Sequence, residues 1–254
     1  MAESAKTVLI TGGNRGIGQD VARVLAIQKW DVLVGSRDRA KGCSAVARLR
    51  KTTAGRLKVV ELDVTSDASV ATAVEKLRDG AIKLDALVNN AGIYGEGRGD
   101  VGKTVDTNFF GPLRVTLGLL PLLRDGATIT NVTSDLGALA NLDRAHQKLL
   151  ADPGLTREAL VALMHDFASS DGKHWGTESY GVAKAALNAL TRILATELAG
   201  RQIKVNATCP GWVRTDMGGR NAPRSIEEGA ASVLFGVTAT QAGAVFRDGQ
   251  RIAF

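Results

Sequence analysis

The sequence predicts an α/β protein with a doubly wound parallel sheet of about seven strands and helices on both faces. Short β-rich apolar runs alternate with segments whose apolar residues recur at helical spacing, as Ile17, Val21 and Val24 do. The first apolar run, 7–10, leads directly into a glycine-rich turn that opens the first helical segment. Such regular alternation favours parallel strands joined by right-handed crossovers, the arrangement of a Rossmann-type fold.

The predicted elements follow in order along the chain. Strands are expected at 7–10, 31–35, 57–62, 84–89, 127–132, 203–208 and 244–246. Helices are expected at 17–28, 39–49, 67–78, 102–123 and 178–199, with Asp67 near the start of the third. The charged, partly helical segment 141–174 interrupts the alternation, and we interpret it as an insertion at the carboxyl edge of the sheet. Because no stretch has the composition of a linker, we expect one catalytic domain over residues 1–254.

The composition argues against metal and membrane functions. Two cysteines, Cys43 and Cys209, cannot build a disulfide framework, and the three histidines (His146, His165 and His174) do not cluster with them as zinc ligands do. Residues 1–6 lack the apolar core of a signal peptide, and no apolar run is long enough to span a membrane. We therefore expect a cytoplasmic protein with no metal and no membrane partner.

The net charge of +6 comes from 32 basic and 26 acidic residues. An ordinary solvated surface explains it, and a basic mouth that attracts a phosphorylated cofactor is the next interpretation. Nucleic-acid binding comes third, because the basic residues form no runs and aromatic residues make up only 4% of the chain.

The glycine-rich turn predicts a dinucleotide site. Glycines let the backbone turn tightly and approach a pyrophosphate, which the free N–H groups at a helix N-terminus then bind. The spacing is Gly-x3-Gly-x-Gly rather than the GxGxxG form, so the turn alone is a moderate signal. The candidate residues of this turn are Gly12, Asn14, Arg15, Gly16, Ile17 and Gly18.

The end of the second strand indicates which dinucleotide is bound. An acid at this position binds the ribose 2′-hydroxyl of NAD, whereas a basic residue accommodates the 2′-phosphate of NADP. Here Ser36 occupies the acid position and Arg37 follows it, while Arg15 is expected to reach the same phosphate. We assign Asp38 to the start of the next helix, where an acid complements the helix dipole. The pattern favours NADPH/NADP+.

Two further strand ends complete the predicted cofactor site. Asp63 and Val64 end the third strand, where a side chain can hold the adenine ring. Asn90, Ala91 and Gly92 follow the fourth strand, and small residues there let the backbone pass close to a ribose.

Tyr180 and Lys184 are four residues apart on a predicted helix, which places both on one face. A nearby ammonium, together with an oxidised nicotinamide, favours the phenolate, so we expect a lowered Tyr180 pKa. Ser134, just beyond the fifth strand, is placed to hydrogen-bond a substrate oxygen. Asn108 stands inside a predicted helix, where an asparagine needs a reason such as a backbone kink or a bound water.

Taken together, these motifs resemble the short-chain dehydrogenase/reductase family over nearly the whole chain. The matching segments are TGGNRGIG at 11–18, DV at 63–64, NNAG at 89–92, Asn108, Ser134, YGVAK at 180–184 and CPGWVRTDM at 209–217. The resemblance implies a catalytic tetrad of Asn108, Ser134, Tyr180 and Lys184. It also implies nicotinamide contacts from Pro210, Gly211, Val213 and Thr215.

The tetrad has implied roles in this family. Tyr180 would protonate the carbonyl oxygen while hydride leaves the nicotinamide, and Ser134 would orient the carbonyl. Lys184 would bind the nicotinamide ribose and lower the Tyr180 pKa, and Asn108 would hold a water that relays protons.

The separation of Ser134 and Tyr180 along the chain indicates which branch of the family the sequence resembles. They lie 46 residues apart, far more than in most members, which resembles the carbonyl-reductase branch. In that branch the insertion covers a helix surface that other members use for assembly, so we expect a monomer. The substrate is expected to be a small hydrophobic ketone, aldehyde or quinone, in a pocket with candidate walls Tyr94, Leu136, Trp175, Trp212 and Met217.

Two alternative functions remain open at this point. One is oxidation of an alcohol with NAD, which would contradict the assignment of Arg37 to a phosphate site. The other is a non-catalytic dinucleotide sensor, against which the full tetrad argues.

Overall fold

The computed structural model describes residues 5–53, 55–95, 101–170, 172 and 175–253. Their centre is one eight-stranded sheet in the order β3-β2-β1-β4-β5-β6-β7-β8. The strands are β1 Thr7–Ile10, β2 Asp31–Ser36, β3 Leu57–Glu61, β4 Leu84–Asn89, β5 Leu123–Val132, β6 Lys204–Thr208, β7 Val245–Arg247 and β8 Gln250–Ile252. Strands β1 to β7 are parallel and β8 pairs antiparallel with β7.

This topology confirms the predicted fold class and adds one strand to the expected seven. The chain builds β2 and β3 on one side of β1 and then crosses to place β4 on the other side. Open α/β sheets bind ligands at the carboxyl ends of the strands where the order reverses, which here is the crevice between β1 and β4.

Helices cover both faces of the sheet. They are α1 Gly16–Ile27, α2 Arg39–Leu49, α3 Asp67–Asp79, α4 Val101–Val105, α5 Gly111–Leu119, α6 Arg144–Ala151, α7 Arg157–Ala168, α8 Ser179–Glu197 and α9 Ile226–Thr238. Side chains along β1 alternate between two cores, because Leu9 belongs to one and Val8 and Ile10 to the other. Helices α1, α2 and α9 contribute to the second core, and α3, α5 and α8 to the first.

The long helix expected at 102–123 is broken. A π-helical turn at Asp106–Phe110 separates α4 from α5, and β5 begins at Leu123 instead of 127. Helix α9 and strand β8 were not predicted. A capping box starts α9, in which Ser225 and Glu228 each bind the other's backbone N–H.

The region 141–174 contains α6 and α7, which pack on α8. Leu150, Leu160, Met164 and Phe167 are all buried in the core that α8 shares. His174, one of the three histidines of the chain, lies outside the described residues, as do residues 171 and 173. No helix of the described part is long and apolar enough to cross a membrane.

Candidate active site

The glycine turn after β1 has the backbone that the sequence requires. Gly12 and Gly16 have φ values of +62° and +53°, a left-handed conformation that favours glycine. Gly18 faces the side-chain amide of Asn90, and a Cβ at Gly18 would collide with it. That amide donates to the carbonyls of Thr11 (2.9 Å) and Gly12 (3.3 Å). Asn90 therefore holds the turn from the end of β4, at the crevice where α1 begins.

A second contact joins the same strand ends. Thr11 Oγ1 accepts hydrogen bonds from the backbone N–H groups of Asn90 and Ala91, each over 2.9 Å. Farther along, a Cβ at Gly92 would stand 2.7 Å from Asn108 Oδ1 and 3.8 Å from Lys184 Nζ. The segment 90–92 thus runs between the glycine turn and the predicted tetrad, and Gly92 has no room for a Cβ.

The corner beyond β2 supports a phosphate more readily than a ribose hydroxyl. A serine rather than an acid occupies this position. Ser36 is buried and donates to the carbonyl of Asp38 over 2.7 Å. Asp38 caps α2 by accepting from the Lys41 N–H over 3.0 Å, as expected. Arg37 is exposed and has no carboxylate partner among the described residues. Arg15, however, pairs with Asp216 over 2.7 Å and so reaches across to the segment after β6.

Asp63 and Val64, which lie just beyond β3, have different surroundings. Asp63 Oδ1 accepts from the N–H and the hydroxyl of Thr65, over 3.0 and 2.7 Å, so its carboxylate is engaged in its own turn. Val64 is buried against Gly111, the first residue of α5. The adenine contact predicted for Asp63 and Val64 stays a prediction.

Asn108 lies in the π-helical turn, so the helix is irregular at the asparagine that needed a reason. The side chain is fully buried. Its Nδ2 donates to the carbonyls of Ile93 (2.8 Å) and Thr104 (3.0 Å), and its Oδ1 accepts from the Ile93 N–H over 3.2 Å. Asn108 therefore pins the chain after β4 to the helix, and the wider turn provides the room for this.

The remaining three tetrad residues meet at the carboxyl edge of the sheet. The Ser134 hydroxyl is near enough to the Tyr180 phenol to lower the pKa of the phenol. Lys184 Nζ donates to the carbonyl of Val132 over 2.8 Å and lies 5.6 Å from the centroid of the Tyr180 ring. Residues far apart in the sequence are thus brought together between β4, β5 and α8.

The protein's own groups together raise the Tyr180 pKa, and the lowering expected beside an oxidised nicotinamide stays a prediction. Burial raises the pKa of Tyr180 to about 12, and the Ser134 hydroxyl only partly opposes this. Burial also lowers the pKa of Lys184 to about 8, because the same environment disfavours the charged ammonium form. The phenol is therefore protonated at neutral pH, which is the form a proton donor needs.

The segment after β6 folds back over the glycine turn. Gly211 has φ +75° and packs against the Arg224 side chain, and Val213 forms a bridge with Arg224. Thr215 contacts the turn, because a Cβ at Gly16 would lie 3.3 Å from its Cγ2. Pro210 leads from the end of β6 into this segment. The residues of the segment that are expected to contact the nicotinamide therefore border the same crevice.

Four of the five candidate pocket walls are exposed large apolar side chains: Tyr94, Leu136, Trp212 and Met217. Trp175 is not a wall, since it is only 5% exposed. It stacks on His146, with ring centroids 4.1 Å apart, and meets the edge of Phe167. It belongs to the core between α6, α7 and α8.

Sequence reasoning missed three charged residues beside the tetrad: Asp135, Glu178 and Arg247. Glu178 accepts a hydrogen bond from the Tyr94 hydroxyl over 2.9 Å, and the Tyr94 ring contacts Tyr180 edge-on at 5.0 Å. Asp135 and Arg247 form an ion pair. Asp135 lies just after β5 and Arg247 at the end of β7. These positions could have identified both residues from the sequence, because ligand sites lie at the carboxyl ends of strands. Within the described residues, no group of His, Cys, Asp and Glu side chains is placed to bind a metal.

Comparison with known families decides where the chain belongs. The family described as short chain dehydrogenase matches residues 6–145, and one described as Enoyl-(Acyl carrier protein) reductase matches residues 159–242. Carbonyl reductase [NADPH] 1 of Mus musculus is 37% identical, over 92% of this chain and 91% of the relative. The chain belongs to the short-chain dehydrogenase family.

Three further proteins are similar to this chain in sequence or structure. The (+)-neomenthol dehydrogenase of Arabidopsis thaliana is 35% identical over 91% of this chain and 90% of the relative. Salutaridine reductase from Papaver somniferum superposes with a TM-score of 0.86 at 26% identity, covering 96% of this chain and 99% of that one. An NADPH-bound carbonyl reductase from chicken fatty liver gives 0.74 at 27% identity, covering 98% and 99%.

Proposed function

We propose that this protein is an NADPH-dependent carbonyl reductase that converts a ketone or aldehyde into an alcohol, with Tyr180 as the proton donor. The observation that carries the proposal is that Tyr180 lies beside Ser134, with Lys184 Nζ 5.6 Å from the centroid of its ring. The names of the carbonyl reductases to which the chain is similar support the same activity.

The residues of the crevice fit the cofactor. The glycine turn and the start of α1 would hold the pyrophosphate, and Arg37 would face the 2′-phosphate. Arg15 would join it by exchanging its contact with Asp216 for the phosphate. When bound, NADPH supplies the hydride for the carbonyl carbon and becomes NADP+.

The chain's own groups would manage the substrate oxygen. As the hydride adds to carbon, the C=O π electrons move to oxygen, and the Tyr180 phenol transfers its proton to that oxygen. Ser134 would donate a hydrogen bond to the carbonyl and orient it. The Lys184 ammonium would stabilise the tyrosinate that remains until solvent returns the proton.

The exposed apolar side chains Tyr94, Leu136, Trp212 and Met217 favour a hydrophobic carbonyl substrate. We also propose that the chain acts as one domain, as a monomer whose α8 is covered by α6 and α7. Two unpaired cysteines, Cys43 and Cys209, support a reducing compartment such as the cytoplasm.

A panel of aromatic and aliphatic ketones, aldehydes and quinones, followed by NADPH absorbance, tests the proposal. We expect turnover of several hydrophobic members. NADPH binding without turnover, unchanged in Tyr180→Phe, would instead support a dinucleotide sensor. A higher kcat/KM for alcohol oxidation with NAD would support a dehydrogenase.

A further inference from the structure

Three strand ends that border the site are joined by side chains that the proposed reaction does not use. Asp135 follows β5, Cys209 follows β6, and Arg247 is the last residue of β7. Arg247 Nη2 forms an ion pair with Asp135 Oδ2. Cys209 Sγ donates to Asp135 Oδ1 over 3.3 Å and accepts from Arg247 Nη2 over 3.1 Å. We call these three residues the strand-end cluster.

The strand-end cluster is charged and partly sheltered. The Cys209 side chain is 1% exposed, and the Arg247 side chain is 31% exposed against 55% for Asp135. The bond to Asp135 raises the pKa of Arg247, and burial raises the pKa of the Cys209 thiol, which keeps the thiol a donor. Removing the guanidinium would leave Asp135 without its cation on this side.

The cluster is connected directly to the tetrad through the chain. Asp135 follows Ser134 and begins a single turn, Asp135–Gly137, that Ser134 caps by accepting from the Leu136 N–H over 3.3 Å. On its other side the turn presses on α8, because a Cβ at Gly137 would stand 2.7 Å from the Lys184 backbone. The turn is thus fixed between α8 and Arg247.

We propose that Arg247 is a positioning residue: through Asp135 it fixes the turn that follows Ser134, and so holds Ser134 in place beside Tyr180. The inference rests on the proposed carbonyl reduction for its activity measurement only. A misplacement of about 1 Å in a reacting group costs up to roughly 100-fold in rate, so an ion pair that fixes Ser134 has measurable leverage.

The activity test compares Arg247→Gln and Arg247→Lys with a matched control, Arg251→Gln, on the exposed face of the neighbouring strand β8. We expect Arg247→Gln to lower kcat by about 10- to 100-fold while the Kd for NADPH and the melting temperature change little. Arg247→Lys should recover part of kcat, since an ammonium still pairs with Asp135. Adding Arg247→Gln to Asp135→Asn should cost little more than Asp135→Asn alone.

Amide hydrogen exchange tests the same inference without substrate. In Arg247→Gln, exchange at Leu136 and Gly137 should accelerate by about tenfold or more, and Arg251→Gln should leave it unchanged. If the parent reduces no carbonyl compound, the proposed function fails and exchange alone decides the inference. Parental kcat and parental exchange in Arg247→Gln would overturn it. So would losses of kcat, NADPH affinity and melting temperature that occur together.

Discussion

At the scale of single residues, the two tyrosines of the chain offer a matched comparison. Their rings contact each other, but the Tyr180 phenol lies beside Ser134 and Lys184, whereas the Tyr94 hydroxyl donates to Glu178. Tyr180→Phe removes the proton donor and should lower kcat by about 100- to 10,000-fold with the NADPH Kd unchanged. Tyr94→Phe should keep kcat within a few-fold. Steady-state kinetics on one ketone measure both, and equal activity of the two variants would contradict the role of Tyr180.

We expect two arginines to determine the preference for NADPH over NADH in the proposed site. Arg37 has no described carboxylate partner, whereas Arg15 shares its charge with Asp216. Arg37→Gln should therefore raise the KM for NADPH by about tenfold, while the KM for NADH stays constant. Arg15→Gln should raise the KM for NADPH less. Asp216→Asn should free Arg15 and lower the KM for NADPH. A parent enzyme that prefers NADH would show that the phosphate assignment is wrong.

At the scale of elements, the close approach of α1 to the end of β4 depends on Gly18. A Cβ there would overlap the Asn90 amide, which holds the glycine turn through two hydrogen bonds. Gly18→Ala should cost about 1–3 kcal/mol of unfolding free energy and weaken NADPH binding. Gly200→Ala is the control, because no atom lies within 4 Å of its added Cβ, and it should stay within about 0.5 kcal/mol of the parent. Urea unfolding and NADPH titration measure these changes.

Strong local signals made most elements predictable from sequence. The glycine turn, the apolar strands and the four-residue spacing of Tyr180 and Lys184 each carry their own geometry, and the structure has β1, α1 and α8 where they were expected. The capping box of Ser225 and Glu228 is equally local and was a usable signal for α9.

Other features depend on contacts that no local pattern encodes. Strand β8 has three residues and exists through its pairing with β7. The raised Tyr180 pKa comes from burial among distant residues, which the Tyr–Lys spacing does not encode. Trp175 shares its aromatic character with Trp212, yet only the packing of α6 and α7 distinguishes a core ring from an exposed one. Spacing thus predicted which residues meet, but not how strongly they are desolvated.

At the scale of the whole molecule, the pair α6–α7 bears on assembly. Arg192 of α8 donates to the carbonyls of Leu150 (3.2 Å) and Asp152 (2.7 Å), and buried side chains from α6 and α7 cover the same helix. Because this surface is already packed within one chain, we expect sedimentation to give the mass of one chain at micromolar concentration. A stable dimer or tetramer that persists on dilution would contradict the proposal.

The stability of the whole protein should also record the burial of Lys184. Its pKa falls from 10.5 to about 8 on folding, so between these pH values the unfolded chain holds a proton that the folded chain has lost. Unfolding free energy therefore rises with pH through this window, by up to about 3 kcal/mol. Lys184→Met lacks this group. The unfolding free energy of the parent minus that of the variant should therefore increase from pH 8 to pH 10, as measured by urea unfolding. Above pH 10 the raised Tyr180 pKa acts with the opposite sign in both proteins, because there the folded state keeps the proton. A parent–variant difference that stays constant across pH 8–10 would show that Lys184 keeps its ordinary pKa in the folded protein.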